Sequence, residues 1–419
     1  MKRVLFIFFM LILKPGVGQD SLALTDLYNA LYKNYPLVQQ VELISQKLVQ
    51  LDASLKTQWY PQLNLSAQAT YQSDIITVDL QIPNVTFPAP DQDQYKLVME
   101  IKQIIYDGGR IGAARNLEKK KAAVGKQAVE VEMNKLKSSI NQLFFNKVLL
   151  DQNQLLVESM VEDLRGREEK IQKSIEHGIM REDELLILQA EMLRLEQQVD
   201  ELQAGKRAAI EMLNVLTGLN IDMHHVFVPE NPEVKEPDKF TRPEQELFRL
   251  KTEQVNHQIA LTKKQNHPNL FAFAQMGYGK PGLNMLGDSF DTYYYLGAGF
   301  SWKIWDWQGN KKQRNAMAVE KKILNSNEEA FLNQLQIKTA EIEQQIEGLK
   351  EKMKKDERII ELQQEIVERS RSKLDNGTIT ANDYLERLRD ATRASINLET
   401  HRIKYMQAKT ELCFIYGQI

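Results

Sequence analysis

Residues 62–72 read Gln-Leu-Asn-Leu-Ser-Ala-Gln-Ala-Thr-Tyr-Gln directly after Tyr60-Pro61, and residues 269–278 read Asn-Leu-Phe-Ala-Phe-Ala-Gln-Met-Gly-Tyr directly after His267-Pro268. In the first stretch Leu63, Leu65, Ala67, Ala69 and Tyr71 alternate with Asn64, Ser66, Gln68, Thr70 and Gln72. A period of two belongs to a strand with one apolar face, because successive side chains point to opposite sides. The second stretch repeats the pattern with Leu270, Ala272, Ala274, Met276 and Tyr278, although Phe271 and Phe273 make its other face less polar. After a polar loop, each is followed by a second alternating run: Tyr95, Leu97, Met99, Ile101 and Ile105, then Tyr294, Leu296, Ala298, Phe300, Trp302 and Ile304. The spacing predicts four strands, at about 62–72, 95–106, 269–279 and 293–305, with Tyr or Trp near their ends. Roughly ten residues with aromatic ends suit a tilted membrane-spanning β-strand. The competing reading is two soluble hairpins packed on a core.

The recurrence extends over the whole chain. Pro36 and Pro243, like Pro61 and Pro268, are separated by 207 residues (243 − 36, 268 − 61). Asp107 and Asp306, Gly178 and Gly377, and Gly218 and Gly417 are separated by 199 (306 − 107, 377 − 178, 417 − 218). The difference of eight falls between Pro268 and Asp306, where one connection is shorter. Such spacing marks a tandem duplication: a first repeat at 19–218, a linker at 219–241 carrying Pro229, Pro232 and Pro237, and a second repeat at 242–419.

Between the strands lie long helical runs. From Arg110 to about Glu176, and from about Asn310 to Asn376, there is no proline and little glycine. At 1.5 Å per residue each run reaches about 100 Å, a rod no globular domain needs. The next segment places Leu185, Leu188, Met192, Leu195, Val199 and Leu202 at alternating steps of three and four, a seam for coiled-coil packing. Residues 1–18 read as a secretory signal peptide: Lys2-Arg3, an apolar run from Val4 to Leu13 too short to span a bilayer, and small Gly16 and Gly18 before Gln19.

Composition narrows the function. Across 419 residues, 54 Lys+Arg face 57 Asp+Glu for a net charge of −3, which gives no basis for nucleic-acid binding. The single cysteine, Cys413, and six scattered histidines leave no Cys-based zinc site and no intramolecular disulfide. His224-His225 reads as a surface pair rather than a metal site. Neither a phosphate loop nor a nucleophile elbow is present, so the expectation is no enzyme, no cofactor and no metal. Four strands expose two edges that lipid cannot satisfy, and the smallest membrane barrels have eight strands, so copies must associate. A polar inner face favours three copies and twelve strands.

In their order along the chain, several motifs resemble the TolC-like outer-membrane factors, also called outer membrane efflux proteins. They are Asn34-Tyr35-Pro36, Arg242-Pro243-Glu244, Pro61, Pro268, Tyr106-Asp107-Gly108-Gly109-Arg110, Trp305-Asp306-Trp307-Gln308-Gly309 and Gly377-Thr378-Ile379-Thr380-Ala381-Asn382-Asp383. The resemblance implies an α+β membrane protein: a homotrimer with a twelve-stranded outer-membrane barrel, four strands per chain, continued by a periplasmic α-helical coiled-coil barrel. It implies a passive exit duct of a tripartite efflux or type I secretion system. The partners would be a periplasmic adaptor (membrane fusion) protein, an inner-membrane pump of the resistance-nodulation-division or ABC type, and outer-membrane lipid. The alternative from another class is a periplasmic coiled-coil adaptor or scaffold that pairs with a channel.

Three sets of residues stand out. Asp107, Gly108 and Gly109, and Asp306 with Gly309, sit where strand becomes helix: glycine permits the turn and aspartate can cap the helix. Gly178, Ile179 and Met180, and Gly377, Thr378 and Ile379, join the long helices to their return helices, and by the resemblance form an exposed adaptor-docking tip. Asp383 and Glu386 lie one helical turn apart, and three-fold symmetry would stack their carboxylates into cation-selecting rings. The competing role is local, because Thr380 to Asp383 has capping-box spacing. The resemblance places Asp383 and Glu386 on the family's constriction acids and Glu184 on the matching position of the first repeat. It also places Leu374 and Ile379 where some members carry a tyrosine and an arginine that hold the closed state.

Overall fold

The computed structural model describes residues 21–75, 91–178, 180–237, 240–285 and 287–419. The predicted signal peptide and Ile179 lie outside the described residues. In chain order the elements are β1 (Ser21–Leu22), α1 (Leu24–Asn34), α2 (Leu37–Lys56), β2 (Gln62–Tyr71), β3 (Asp93–Tyr106), α3 (Arg110–Glu176), α4 (Glu182–Thr217), β4 (Val226–Phe227), α5 (Pro243–Lys264), β5 (Asn269–Lys280), β6 (Asp291–Ser301), α6 (Gly309–Asp375) and α7 (Ala381–Tyr416). The described residues are mostly helical, with a four-stranded sheet and a short parallel pairing of β1 with β4. Helices α3 and α6 each contain 67 residues and α4 and α7 each contain 36. Within each pair the second starts 199 residues after the first (309 − 110, 381 − 182).

Local chemistry sets several boundaries. Helix α1 stops at Asn34 because Tyr35, which precedes Pro36, is forced into an extended conformation with ψ 135°. Pro243 opens α5, at the position where a missing N–H is harmless. Gly218 and Gly417 cap α4 and α7 with φ of 66° and 76°.

The chain forms two compact units. One comprises Gln39–Val131 and Pro243–Leu332 and holds the sheet, ordered β2-β3-β5-β6 with every neighbouring pair antiparallel. Leu63 pairs with Ile101, Met99 with Met276 and Ala274 with Leu296, so apolar residues from all four strands share one face. A register shift between Ile104 and Tyr106 bends β3 at its end. Strand β6 ends at Ser301 and not near 305, which corrects the spacing argument for Trp302 and Ile304. Ser301 pairs with Asn269, the first residue of β5, and Pro268 before it has no N–H to donate.

The other unit comprises the N-terminal segment to Val38, Glu132–Arg242 and Asn333–Ile419. Here Phe144 stacks on Phe227 at 5.1 Å, and Lys147, 2% exposed, donates to the His225 carbonyl at 2.9 Å and pairs with Asp151 at 2.7 Å. The same unit has an apolar cluster of Val157, Met160, Leu164, Ile171, Leu188, Met192, Leu374, Tyr384 and Leu385 around the ends of the long helices. Among the described residues, no helix is long and apolar enough to cross a membrane.

Candidate functional site

The sheet separates two surfaces. Its apolar face leaves Leu63, Leu65, Tyr71, Leu97, Met99, Ile101, Met276, Tyr294, Leu296 and Phe300 exposed, with Leu296 at 76% and Tyr294 at 77%. Soluble monomers rarely expose contiguous apolar patches of this extent, so the face calls for an apolar neighbour. The opposite face carries Asn64, Ser66, Gln68, Lys96, Glu100, Lys102 and Gln275.

Each strand hands over to its long helix through an aspartate-capped turn. Asp107, 6% exposed, accepts from the Gly109 amide at 2.8 Å through Oδ1 and from the Ile111 amide at 2.5 Å through Oδ2. Asp306 accepts at Oδ2 from the Asn310 amide at 2.9 Å and from Asn266 Nδ2 at 2.8 Å. The Asn266 bond, with the Asn310 amide next, holds the Asp306 carboxyl below its usual range. Gly108 and Gly109 adopt left-handed φ of 68° and 84°. A Cβ on Gly108 would stand 2.4 Å from His267 Cβ, so no side chain fits there. Gly309 does not play this part in the second turn. It is the first residue of α6, and the left-handed residues are Trp307 and Gln308, with φ of 53° and 61°. The 199-residue offset already set Trp307 and Gln308 against Gly108 and Gly109, and that signal could have found them. Trp307 is 82% exposed and its ring meets Trp305 edge-on at 5.8 Å.

At the turns between long and return helices, Gly178 and Gly377 have φ of 73° and 64°. The Gly377 amide donates to the Leu374 carbonyl at 2.8 Å and the Thr378 amide to the Lys373 carbonyl at 2.9 Å, which closes α6 with a Schellman motif. Thr378 is exposed, but Met180 and Ile379 are not the exposed side chains that the sequence suggested. Both are half-buried and pack against the Leu374, Tyr384 and Leu385 cluster, since an apolar residue just past a left-handed cap folds back onto the helices it follows.

The three acids sit in different settings. Asp383 and Glu386 are exposed on the first turns of α7. Asp383 forms a capping box with Thr380: its amide donates to Thr380 Oγ1 at 3.2 Å, and its Oδ2 accepts from the Thr380 amide at 3.1 Å and hydroxyl at 2.7 Å. These bonds hold its carboxyl below the usual range. Glu184 is half-buried, and its Oε2 accepts from the Ala381 amide, so it caps α7 from the neighbouring hairpin.

Sequence reasoning missed the charged ties beside these acids. Asp163 on α3 accepts from Arg371 of α6 at 2.8 Å, from Tyr384 of α7 at 2.9 Å and from Arg167 at 3.1 Å. The buried Arg167 guanidinium lies 4.3 Å over the Tyr384 ring. Glu191 on α4, 3% exposed, receives Arg389 of α7 on both oxygens at 2.7 and 2.8 Å. Arg389 holds the Glu191 carboxyl below its usual range. Arg371, Tyr384 and Arg389 lie about 200 residues from the acids they meet, so no local spacing announces those ties.

No protein-family profile and no curated protein sequence matches the chain. Solved structures do match. A structure of CusC, described for its transmembrane channel formation, aligns with a TM-score of 0.71 at 13% identity over 94% of this chain and 91% of that one. The CmeC outer membrane channel of Campylobacter jejuni gives 0.66 at 15% identity over 94% and 85%. The outer membrane protein VceC of Vibrio cholerae gives 0.66 at 16% identity over 94% and 96%. The chain has the fold of these outer-membrane proteins.

Proposed function

We propose that this chain, which shares the fold of outer-membrane channels and carries the motifs of the TolC-like outer-membrane factors, is an outer-membrane exit duct. It is a passive conduit and not an enzyme. The observation that carries the reading is the four-stranded antiparallel sheet with one exposed apolar face, one mainly polar face and two edges, β2 and β6, that are unpaired among the described residues. Three copies close a twelve-stranded barrel, lipid covers the apolar face and water fills the polar interior. The long helices then form the periplasmic tunnel, and the chain is a tandem duplication of one strand-and-helix unit. A coiled-coil adaptor has no use for the apolar face.

Duplication also sets how copies join. Shifting the β3–β5 pairing by 199 and 207 residues places β6 beside β2 of the next copy with Phe300 opposite Ala67 (101 + 199, 274 − 207) and Leu296 opposite Tyr71 (97 + 199, 278 − 207). Cysteines at 300 and 67 should crosslink neighbouring copies, whereas cysteines at 300 and 63 should not.

At the tunnel end, Gly178, Ile179, Met180, Gly377, Thr378 and Ile379 form the docking tip for a periplasmic adaptor, which couples the duct to an inner-membrane pump for efflux or type I secretion. Asp383 and Glu386 ring the mouth. Glu184, Asp163 and Glu191 instead tie the two helical hairpins together and resist their separation. The test is planar-bilayer conductance of the detergent-purified protein with its oligomeric mass. Trimeric channels whose cation selectivity falls in Asp383→Ala/Glu386→Ala support both duct and ring. Channels indifferent to the mutation keep the duct and remove the ring, and a soluble non-conducting species overturns the duct.

A further inference from the structure

The polar face of the sheet also carries Val98, Ile104 and a continuous run of aromatic rings. Four successive cross-strand pairs of β5 and β6 each contribute one aromatic ring to that face: Phe271 opposite Gly299, Phe273 opposite Gly297, Tyr295 opposite Gln275 and Tyr293 opposite Gly277. Centroids of neighbouring rings are 6.2, 6.1 and 6.4 Å apart, so the rings form an unbroken column. With two residues per step it extends about 20 Å along the strands. Part of the column has a structural use: a Cβ on Gly277, Gly297 or Gly299 would stand 2.2–2.4 Å from the ring opposite, so those rings cover bare backbone. Covering glycine does not account for Tyr295, which faces Gln275 and is 40% exposed.

We infer that this column is a track for linear oligosaccharides passing through the duct. The inference rests on the duct reading, which turns this face toward the lumen. A pyranose ring has apolar C–H faces and a hydroxyl rim, so it fits an aromatic surface bordered by polar groups. The borders are present. Lys102 Nζ lies 4.0 Å over the Phe271 ring, Gln275 Nε2 donates to Glu100 Oε1 at 2.9 Å, and the Tyr295 hydroxyl bonds Gln275 Oε1. On the other side, the register proposed for barrel closure brings Gln68, Thr70 and Gln72 of the next copy beside β6. The column's extent suits a chain of rings rather than one small aromatic molecule. Charge separates the candidates further: Lys96 and Lys102 outnumber Glu100 on the flanking strand, which disfavours organic cations and leaves neutral sugars unaffected. An open wall binds weakly, as transit requires.

The test is interruption of single-channel current by maltohexaose, with glucose and tetraphenylphosphonium as comparisons. Maltohexaose should block at millimolar concentration and glucose should not. Tyr295→Leu should weaken the block roughly three- to tenfold, the share of one stacking ring, and Tyr295→Phe should retain most of it. Should Tyr295→Leu not assemble, Tyr293→Leu, which keeps an apolar cover on Gly277, carries the same expectation. Conducting channels that ignore maltohexaose, or that are blocked equally in the leucine variants, overturn the track and leave the duct standing. Block by tetraphenylphosphonium alone overturns the sugar assignment. Wild-type protein that forms no channels overturns the duct, and the track with it.

Discussion

At the junction of β3 with α3 the left-handed pair is Gly108 and Gly109, and at the matching junction of β6 with α6 it is Trp307 and Gln308. Both turns carry an aspartate cap and both bond the third residue after it, Arg110 or Gly309, back to the aspartate carbonyl, at 3.3 and 2.9 Å. Backbone geometry is therefore common to the two junctions, while residue choice follows the space around them. His267 closes over Gly108, and Trp307 stands in the open. A left-handed φ costs a non-glycine residue about 1–2 kcal/mol, which a fold can carry where nothing else is at stake.

The largest expected effect tests that contrast. Gly108→Ala combines the left-handed penalty with a Cβ placed 2.4 Å from His267 Cβ, and should destabilise by more than about 3 kcal/mol. Trp307→Ala changes neither term much and should leave the melting temperature of the detergent-purified protein nearly unchanged. Equal losses from the two substitutions would break the comparison.

The return helices differ in the same way. Glu191 is matched 199 residues later by Asp390, but Arg389 is matched by Ala190, so the Glu191–Arg389 tie has no counterpart. Arg389→Ala leaves a buried carboxylate with only Arg194, at 2.8 Å, and should cost about 2–3 kcal/mol. The pH dependence follows from the sign of the shift. The folded Glu191 carboxyl titrates below its unfolded value of about 4.3. Its contribution is therefore complete above that value and is lost as pH falls through the lowered folded value. Melting temperature should drop on acidification below about pH 4.5 in the wild type, and that drop should shrink in Arg389→Ala. An identical acid limb in the variant would remove Glu191 as its source.

A smaller effect concerns the caps. Helix α7 begins at Thr380 with a complete capping box, whereas the matching residue before α4 is Arg181, which makes no side-chain cap. Thr380→Ala should cost about 1 kcal/mol. Arg181→Thr sets a threonine three residues before Glu184 and should add up to about 0.5 kcal/mol, since the exposed Arg181–Asp183 pair it removes is worth little. A melting temperature lowered by Arg181→Thr would show that Glu184 cannot leave the Ala381 amide to cap its own helix.

What the sequence disclosed, and what it hid, follows the range of each interaction. Strand positions were legible because alternation at Leu63 to Tyr71 is local, and the fold of the long helices because Arg110 to Glu176 contains no proline and little glycine. The end of β6 was not, since Ser301 stops where its partner strand begins, a fact written at Pro268. Burial of Met180 and Ile379 depends on a cluster drawn from four helices. The ties of Asp163 to Arg371 and Tyr384 and of Glu191 to Arg389 join residues about 200 positions apart, and the left-handed Trp307 contradicts its own propensity, so only the comparison with Gly108 could reveal it.

Gln308→Gly is the smallest effect, because two terms of opposite sign nearly cancel. Glycine relieves the penalty of φ 61°, about 1–2 kcal/mol. It also enlarges the unfolded ensemble, at about 0.4–1 kcal/mol. The difference favours the variant by about 0.5 kcal/mol, a rise of about half a degree in a chain of 419 residues. Gly109→Gln, the reverse exchange in the first turn, should lose the same amount if the residue alone decides. Its Cβ would lie 3.7 Å from the Lys264 side chain, an ordinary contact, so no clash adds to the loss. Opposite and similar shifts at 308 and 109 would establish that the two junctions share one backbone. A far larger loss at 109 would mean that the first turn is held more tightly than its capping bonds account for.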